Sequence, residues 1–523
     1  MAATHEDDVG GIHRSKLFWG ACASLLPTAF LFAIIGDIIP ALKERFILTN
    51  FQVGAIGGAA LWGMAISQVA LGPLADTLGL RNVTRLAFIC HALGTTVLLG
   101  ASFFEGSPDG FWVLLIGAII AALGNGFIEV ACNPLVAGLY PDQKTTKLNH
   151  FHAWFPGGIA LGGVLCYVLV SAFGANWETR VAMNYVPIVI YGVLLLPERF
   201  PPTESARAGI SPFQTVAAIL FRPLGLLMVF CMIITASLEL GPMRWIPSVM
   251  QAAGIPGILV LVWISVVMCV LRLFAGPTVE RLSPTGILLG AAVVTGAALW
   301  LLASAQGATS VFVAATLFAV GVAYFWPTML GFVNERIPRS GAFGLALMGG
   351  IGMLAAGGIA NPQMGHIADR YLPEALPQQE TLLVLRESVE QFPALAADVE
   401  AWRRQDVTKA VELSTAAIVA YETSRTLTPE LTANALRAVQ AAPVAGSDLP
   451  KRAAQLLGPA ENYGGRMAFR YLVPLAVLVA LIFAGLYLRD RRAGGYRVER
   501  IGGDTPAADG SFRSPAHKVD PVR

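Results

Sequence analysis

The sequence predicts an all-α membrane protein: twelve transmembrane helices in two six-helix pseudo-repeats, with an extracytoplasmic helical insertion between helices 11 and 12. Three observations predict it. The composition is 55% hydrophobic and 13% charged over 523 residues, apolar runs of membrane-crossing length recur, and one loop motif occurs twice. A soluble chain of this size needs more polar surface to cover itself, so the solvent implied is largely lipid.

A hydrocarbon core about 30 Å thick takes about 20 helical residues to cross. In the first half such runs occupy roughly residues 17–40, 51–74, 83–104, 111–136, 151–174 and 181–197 (helices 1 to 6). In the second they occupy roughly 223–245, 255–276, 284–304, 309–332, 342–364 and 470–488 (helices 7 to 12). Several contain Gly or Pro, which membrane helices tolerate. No cleavage pattern follows the first run, so it reads as helix 1 and not as a removed signal peptide. The chain divides into a cytoplasmic N-terminal tail (1–16), an N-terminal bundle (17–199), a cytoplasmic linker (200–222) and helices 7 to 11 of a C-terminal bundle (223–370). The insertion (371–466), helix 12 (467–488) and a basic, disordered cytoplasmic tail (489–523) complete it.

Basic residues orient the chain. One set of short connections carries Arg81, Arg85, Lys144, Lys147, Arg199, Arg207, Arg222, Arg272, Arg281, Arg336 and Arg339, whereas the other carries Lys43, Arg45, Arg180 and Arg244. The positive-inside rule puts the first set, and both termini, in the cytoplasm of a cell with this protein in its inner membrane. Residues 371–466 then fall outside. They are charged, Ala/Leu-rich and helix-like in spacing, too polar to cross a bilayer. Short amphipathic helices capping the outer end are expected there, as a lid or packing cap or as a ligand-binding unit. The six cysteines lie in predicted helices, which implies neither a disulfide framework nor a metal site. No cofactor or nucleic-acid partner is expected, and no P-loop or nucleophile elbow marks an enzyme. A monomer among membrane lipids is expected.

The loop after helix 2 reads GPLADTLGLR from Gly72, and the loop after helix 8 reads GPTVERLSPT from Gly276. Gly, Pro, an acid and Leu recur at 72/276, 73/277, 76/280 and 78/282, each copy following the second helix of its half. Parallel repeats of this kind typify transporters whose halves rock about a midplane site. The motif residues Asp76, Gly79 and Arg81, with Glu280 and Arg281 in the second copy, are the gating candidates. Asp76 suits the positive N-terminus of a helix in the opposite half, helix 11 near Ser340. Gly79 permits a tight turn.

Acids inside the apolar runs are the next signal. On helix 4, Asn125, Glu129, Cys132 and Asn133 share a face at spacings i, i+4, i+7 and i+8. A carboxylate at mid-bilayer costs about 2.5–3.5 kcal/mol on insertion scales, so it is held by a partner or by a proton. Pro134 frees the Val130 carbonyl. Asp37 in helix 1 and Glu239 in helix 7 lie nearer the ends, where a functional acid and an interfacial one read alike. Glu129 is the first candidate for proton coupling and Asp37 the second. The structural alternative for Glu129 is a fixed pair, for instance with Arg272.

GPLADTLGLR resembles the loop signature of the major facilitator superfamily, filled by Gly72, Leu74, Asp76, Gly79 and Arg81. GFIEVACNPLVAGLYP (126–141), KLNHFHAWFPGGI (147–159) and LTNFQVG (48–54) resemble the fucose/glucose permease branch, through Glu129, Asn133, Pro134, Leu148, Asn149 and Gly158. The resemblance covers the N-terminal half. It implies an importer coupling a small polar solute, a sugar, to protons by alternating access, with Glu129 and Asp37 in coupling and recognition. Where the branch tends to show amides in helix 5, this chain has His152, Trp154 and Phe155. Candidates for sugar hydroxyls are Gln68, Asn125, Asn133, Asn149, His152 and Glu239, and for stacking Phe30, Trp62, Trp154 and Trp326. An exporter on the same fold, or a solute sensor without transport, are the alternatives.

Overall fold

The computed structural model describes residues 8–501 except 10, 11, 47, 49, 108, 401 and 402. The outermost parts of both expected tails, and Thr49 of LTNFQVG, lie outside the described residues. Apart from a short hairpin of Asp8–Val9 with Ile12–His13, the regular structure described is helical. Among the described residues, ten helices are long and apolar enough to cross a membrane: Arg14–Ile39, Gly54–Leu78, Leu80–Phe104, Asp109–Leu139, Lys144–Phe173, Pro223–Ala252, Ala275–Ser304, Ala308–Arg336, Pro338–Ala375 and Leu449–Arg492. Helix 8 is a shorter apolar helix, Gly257–Leu273. The run expected as helix 6 is divided into Trp177–Ala182 and Tyr185–Leu195.

Helices 3 and 4 approach closely because Gly94 faces the Ala121 backbone, where an added Cβ would lie 2.4 Å from its nitrogen. Two other helices are interrupted near prolines, at positions that matter below. Helix 5 is interrupted at Ala153, between Lys144–His152 and Trp154–Phe173, and Pro156 follows. Helix 10 is interrupted at Ala323 and Tyr324, ahead of Phe325–Arg336 and Pro327.

The two loop copies share a backbone conformation. Gly79 has φ 79°, ψ 136°, and Ser283, which occupies the same motif position, has φ 58°, ψ 159°. Glycine adopts positive φ at no steric cost, whereas serine is strained there, so the second copy keeps the shape of the turn without its preferred residue.

The 371–466 region folds on its own core. Gln378–Leu395, Arg404–Ser424, Pro429–Ala441 and the first turns of Leu449–Arg492 bury Leu385, Phe392, Val407, Leu436, Val439 and Leu457 together. The expected boundary at 467 gives way to one continuous helix of 44 residues. At 1.5 Å per residue it is about 66 Å long, more than twice a hydrocarbon core. The last helix of the insertion therefore runs on without a break into helix 12. Arg437 fastens it, donating to Asp369 and Glu461 at 2.8 Å each. Burial works against the Arg437 charge, but the two carboxylates outweigh it and hold the group above its ordinary range.

Candidate functional site

Glu129 is 5% exposed. Its Oε2 accepts from Asn133 Nδ2 at 2.6 Å, a contact that the i, i+4 spacing on helix 4 makes natural. Asn133 Oδ1 lies 2.9 Å from His152 Nε2, which also stands 3.8 Å from Glu129 Oε2. With the amide so placed, the imidazole donates from Nε2. Helices 4 and 5 thus assemble a buried carboxylate, amide and imidazole that carry no fixed positive charge.

The fixed cation is Arg272 of helix 8, 2% exposed. It lies within the bundle and not in the short connection where charge counting placed it, because its donors have three buried partners. Nη2 donates to Glu239 Oε1 at 2.8 Å, Nη1 to the His152 carbonyl at 3.2 Å, and Nε to the Ala323 carbonyl at 2.5 Å. Both carbonyls sit four residues before a proline, Pro156 and Pro327, which cannot supply the usual helical N–H. Two helix breaks, one in each half, therefore create the acceptors that one guanidinium fork satisfies. The fixed-pair alternative is realised by Glu239 and not by Glu129.

Among the described residues, some buried polar atoms have no hydrogen-bond partner: Asn149 Oδ1 and Glu239 Oε2 near this hub, and Gln68 Oε1 and Nε2 on helix 2. Gln68 faces Gly349 of helix 11, where a Cβ would lie 2.1 Å from its Oε1. Asn149, one turn before His152, uses its amide hydrogens on the Thr145 carbonyl and, at 3.4 Å, on Thr328 Oγ1. Trp326 is 6% exposed and packs beside Gly352. Orphaned buried donors and acceptors are costly unless a ligand or water satisfies them.

Other expected site residues lie elsewhere. Asn125 turns from Glu129 and accepts from Thr28 Oγ1 at 2.7 Å and from His91 Nε2 at 2.8 Å, while His91 Nδ1 meets Tyr191 OH at 2.9 Å. Asp37 is 39% exposed and pairs with Arg180 at 2.5 Å, so unlike Glu129 it has a guanidinium as hydrogen-bonded partner. Trp62 is 50% exposed. Phe30 packs on Gly162, and Trp154 meets the exposed Trp19 edge-on. Trp62 instead reaches Gly358 of helix 11, and Phe30 belongs to the apolar core around helices 1 and 5. Sequence reading missed His91, although a histidine inside the apolar FICHALG run signals a buried partner.

At the end of the molecule with the repeated loops, Asp76 accepts from Thr203 Oγ1 at 2.7 Å and Ser205 Oγ at 2.6 Å. Its Oδ2 lies 3.0 Å from where a Cβ would stand on Gly341, the first residue of the helix 11 segment Gly341–Ala355. That is the helix N-terminus expected for it. Arg81 donates to the Leu196 and Pro197 carbonyls at the end of helix 6. Glu280 and Arg281 are exposed. The acid at the helix 5 N-terminus is Glu335, which accepts from Thr145 N and Oγ1 at 3.1 and 2.7 Å.

Comparison with known proteins gives this arrangement a family. The chain is 26% identical to the gentisate transporter of Corynebacterium glutamicum over 365 residues, 63% of this chain and 76% of that protein. It is 29% identical to the L-fucose-proton symporter of Escherichia coli over 126 residues, 23% of this chain and only 28% of that one. A crystal structure of the transporter FucP in the outward conformation superimposes with a TM-score of 0.56 at 21% identity, covering 68% of this chain and 92% of that one, a likeness of fold. The family model for the Major Facilitator Superfamily matches residues 21–361. With its apolar spans, that match makes the chain a multi-pass membrane protein belonging to the major facilitator superfamily of transporters.

Proposed function

We propose that the protein imports a small polar solute, a sugar, in symport with protons, Glu129 being the group that takes up and releases the proton. The observation that carries this reading is the contrast between the two buried acids: Glu239 is hydrogen-bonded by the Arg272 guanidinium, whereas Glu129 is hydrogen-bonded by a neutral amide and feels Arg272 only through space. A carboxyl group in that setting has a proton as its available counter-charge. The partnerless atoms of Gln68, Asn149 and Glu239 are the hydroxyl ligands, and Trp326 is the stacking ring. Asn133 and His152 position Glu129, and Asp76 with Glu335 hold the cytoplasmic side closed.

In this reading twelve helices cross the inner membrane, Tyr185–Leu195 and Gly257–Leu273 included. Residues 17–199 and 223–370 with helix 12 form the two bundles, the insertion caps the outer face, and the monomer keeps both termini in the cytoplasm.

The gentisate transporter relative favours a second solute class, an aromatic acid. Arg244 of helix 7 is exposed and stands 4.8 Å over the Phe32 ring of helix 1, a cation and a ring bridging the halves where a carboxylated ring would pass. Solute addition to cells should alkalinise the medium, and Glu129→Gln should abolish this while leaving exchange of bound solute intact. Uphill accumulation by the Gln variant at the parent's level would remove Glu129 from the role. Thermal shifts with monosaccharides against gentisate separate the solute classes, since stabilisation grows as RT ln(1 + [L]/Kd).

A further inference from the structure

Away from the central polar set, the end of the molecule bearing the repeated loops holds a cavity of about 280 Å³ lined by Arg14, Tyr140, Pro141, Asp142, Gln143 and Lys147. Two cations share one ring there. The Arg14 guanidinium lies 4.0 Å from the Tyr140 centroid and the Lys147 ammonium 4.5 Å, with Lys147 also 5.2 Å from the Phe18 ring. Aromatic faces attract cations but supply no formal negative charge.

Neighbouring lysines are matched: Lys16 pairs with Glu198 and Lys144 with Glu204. Among the described residues Arg14 and Lys147 form no ion pair. The acid in the cavity wall, Asp142, is engaged by Arg500 at 2.9 Å. The Nε of Arg14 is buried and has no hydrogen-bond partner among the described residues. Two adjacent like charges and an unsatisfied buried N–H are a local cost that an anion with several acceptor oxygens would remove.

We propose that this cavity binds a phosphate group, with Arg14 and Lys147 as its cationic ligands. A guanidinium offers phosphate a planar fork, and an ammonium adds a compact point charge. A single carboxylate would leave one of the two cations uncompensated. Arg14 opens the first membrane span, and Trp19, just over a turn along it, is 52% exposed. Exposed tryptophans mark the headgroup level, so the cavity opens where lipid phosphates lie. The proposal does not depend on what the central site carries.

The test is a thermal-shift titration of the full chain in a neutral, phosphate-free detergent. One arm adds short-chain phosphatidylglycerol and the other inorganic phosphate. Tm should rise with at least one. A rise with lipid alone identifies a headgroup site, and a rise with both identifies a site for any phosphate. Lys147→Gln and Arg14→Gln should each weaken the apparent affinity about tenfold or more, as loss of a charge-assisted contact does. Lys16→Gln, whose lysine is already matched, should not change it. Asp142→Asn removes the one acid from the wall and should tighten binding, a gain that a merely unfolded variant cannot mimic. No rise in either arm, or an undiminished rise in the Lys147 variant, overturns the proposal.

Discussion

The two halves each bury one carboxylate beside the central hub, and they solve the same electrostatic problem differently. In the C-terminal half Glu239 meets the Arg272 guanidinium, so its charge is cancelled by a group that is always ionised. In the N-terminal half Glu129 meets an amide and an imidazole. The first arrangement suits a fixed brace and the second a site whose charge changes. Arg272 also reaches across to the His152 carbonyl, so the brace of one half ends on the backbone of the residue that faces Glu129. That contact gives the two acids a physical connection.

The contrast breaks most sharply at Arg272. Arg272→Met strands a buried Glu239 charge and uncaps the His152 and Ala323 carbonyls, and should cost about 3–5 kcal/mol, the range for breaking one partner of a buried pair. In detergent this reads as a large fall in Tm. Adding Glu239→Met should recover much of it if the stranded charge dominates. A double variant as unstable as the single one would assign the cost to the two proline-freed carbonyls instead.

A smaller loss is expected in the other half. Asn133→Ala deprives Glu129 of its 2.6 Å donor and His152 of its acceptor. Neutral hydrogen bonds lost with a partner left buried cost about 1–3 kcal/mol. Should Asn133→Ala destabilise as much as Arg272→Met, the two acids are not differently compensated and the contrast falls.

The apolar runs made the fold legible, because the backbone in lipid leaves few options besides helix. Glu129 and Asn133 were legible for a related reason: polar residues at helical spacing on a greasy helix have one face to share. Arg272 was not. Its site exists only because Pro156 and Pro327, on helices far apart in sequence, bring freed carbonyls to one point, and no local pattern encodes that meeting. The same limit explains Asn125. Spacing put it on the Glu129 face, but His91 and Thr28 from other helices claim its oxygen. Asp37 was the second candidate by residue type, and its partner Arg180, from the start of helix 6, was not visible in the local sequence. The continuous helix from Leu449 was hidden by its polar first half, which reads as a separate domain until packed.

The repeated loops offer a gentler comparison. Asp76 sits at a helix N-terminus with two hydroxyl donors, whereas its counterpart Glu280 is exposed. Asp76→Asn should cost about 0.3–1 kcal/mol through the lost anion–dipole attraction. It should also raise labelling of Ser340→Cys, a near-isosteric change at the buried residue that caps the helix 11 N-terminus, by a soluble thiol reagent. Glu280→Gln should stay within about 0.5 kcal/mol, as surface changes do. Equal effects on labelling and stability would mean that the two loops act symmetrically despite their contacts.

The smallest effect concerns acid, at the clasp between the start of the chain and the end of helix 6. Burial raises the Glu198 carboxyl, but Lys16 and His13, each 2.6 Å away, outweigh it and hold the group below its ordinary value of 4.5. A depressed carboxyl contributes its stability in full above that ordinary value and loses it as pH falls through the folded one. Lys16 is 44% exposed and His13 53%, so solvent screens the clasp and its worth is that of a surface pair, about 0.2–1 kcal/mol. The difference in Tm between the parent and Glu198→Gln should therefore narrow as the pH is taken below about 4.5. The narrowing belongs to the ionised clasp alone, because the amide of the variant cannot titrate. A difference that changes already between pH 7 and 5 would place the titration on His13, whose proton strengthens the clasp on the acid side, and would make the imidazole rather than the carboxyl the group that sets its pH range.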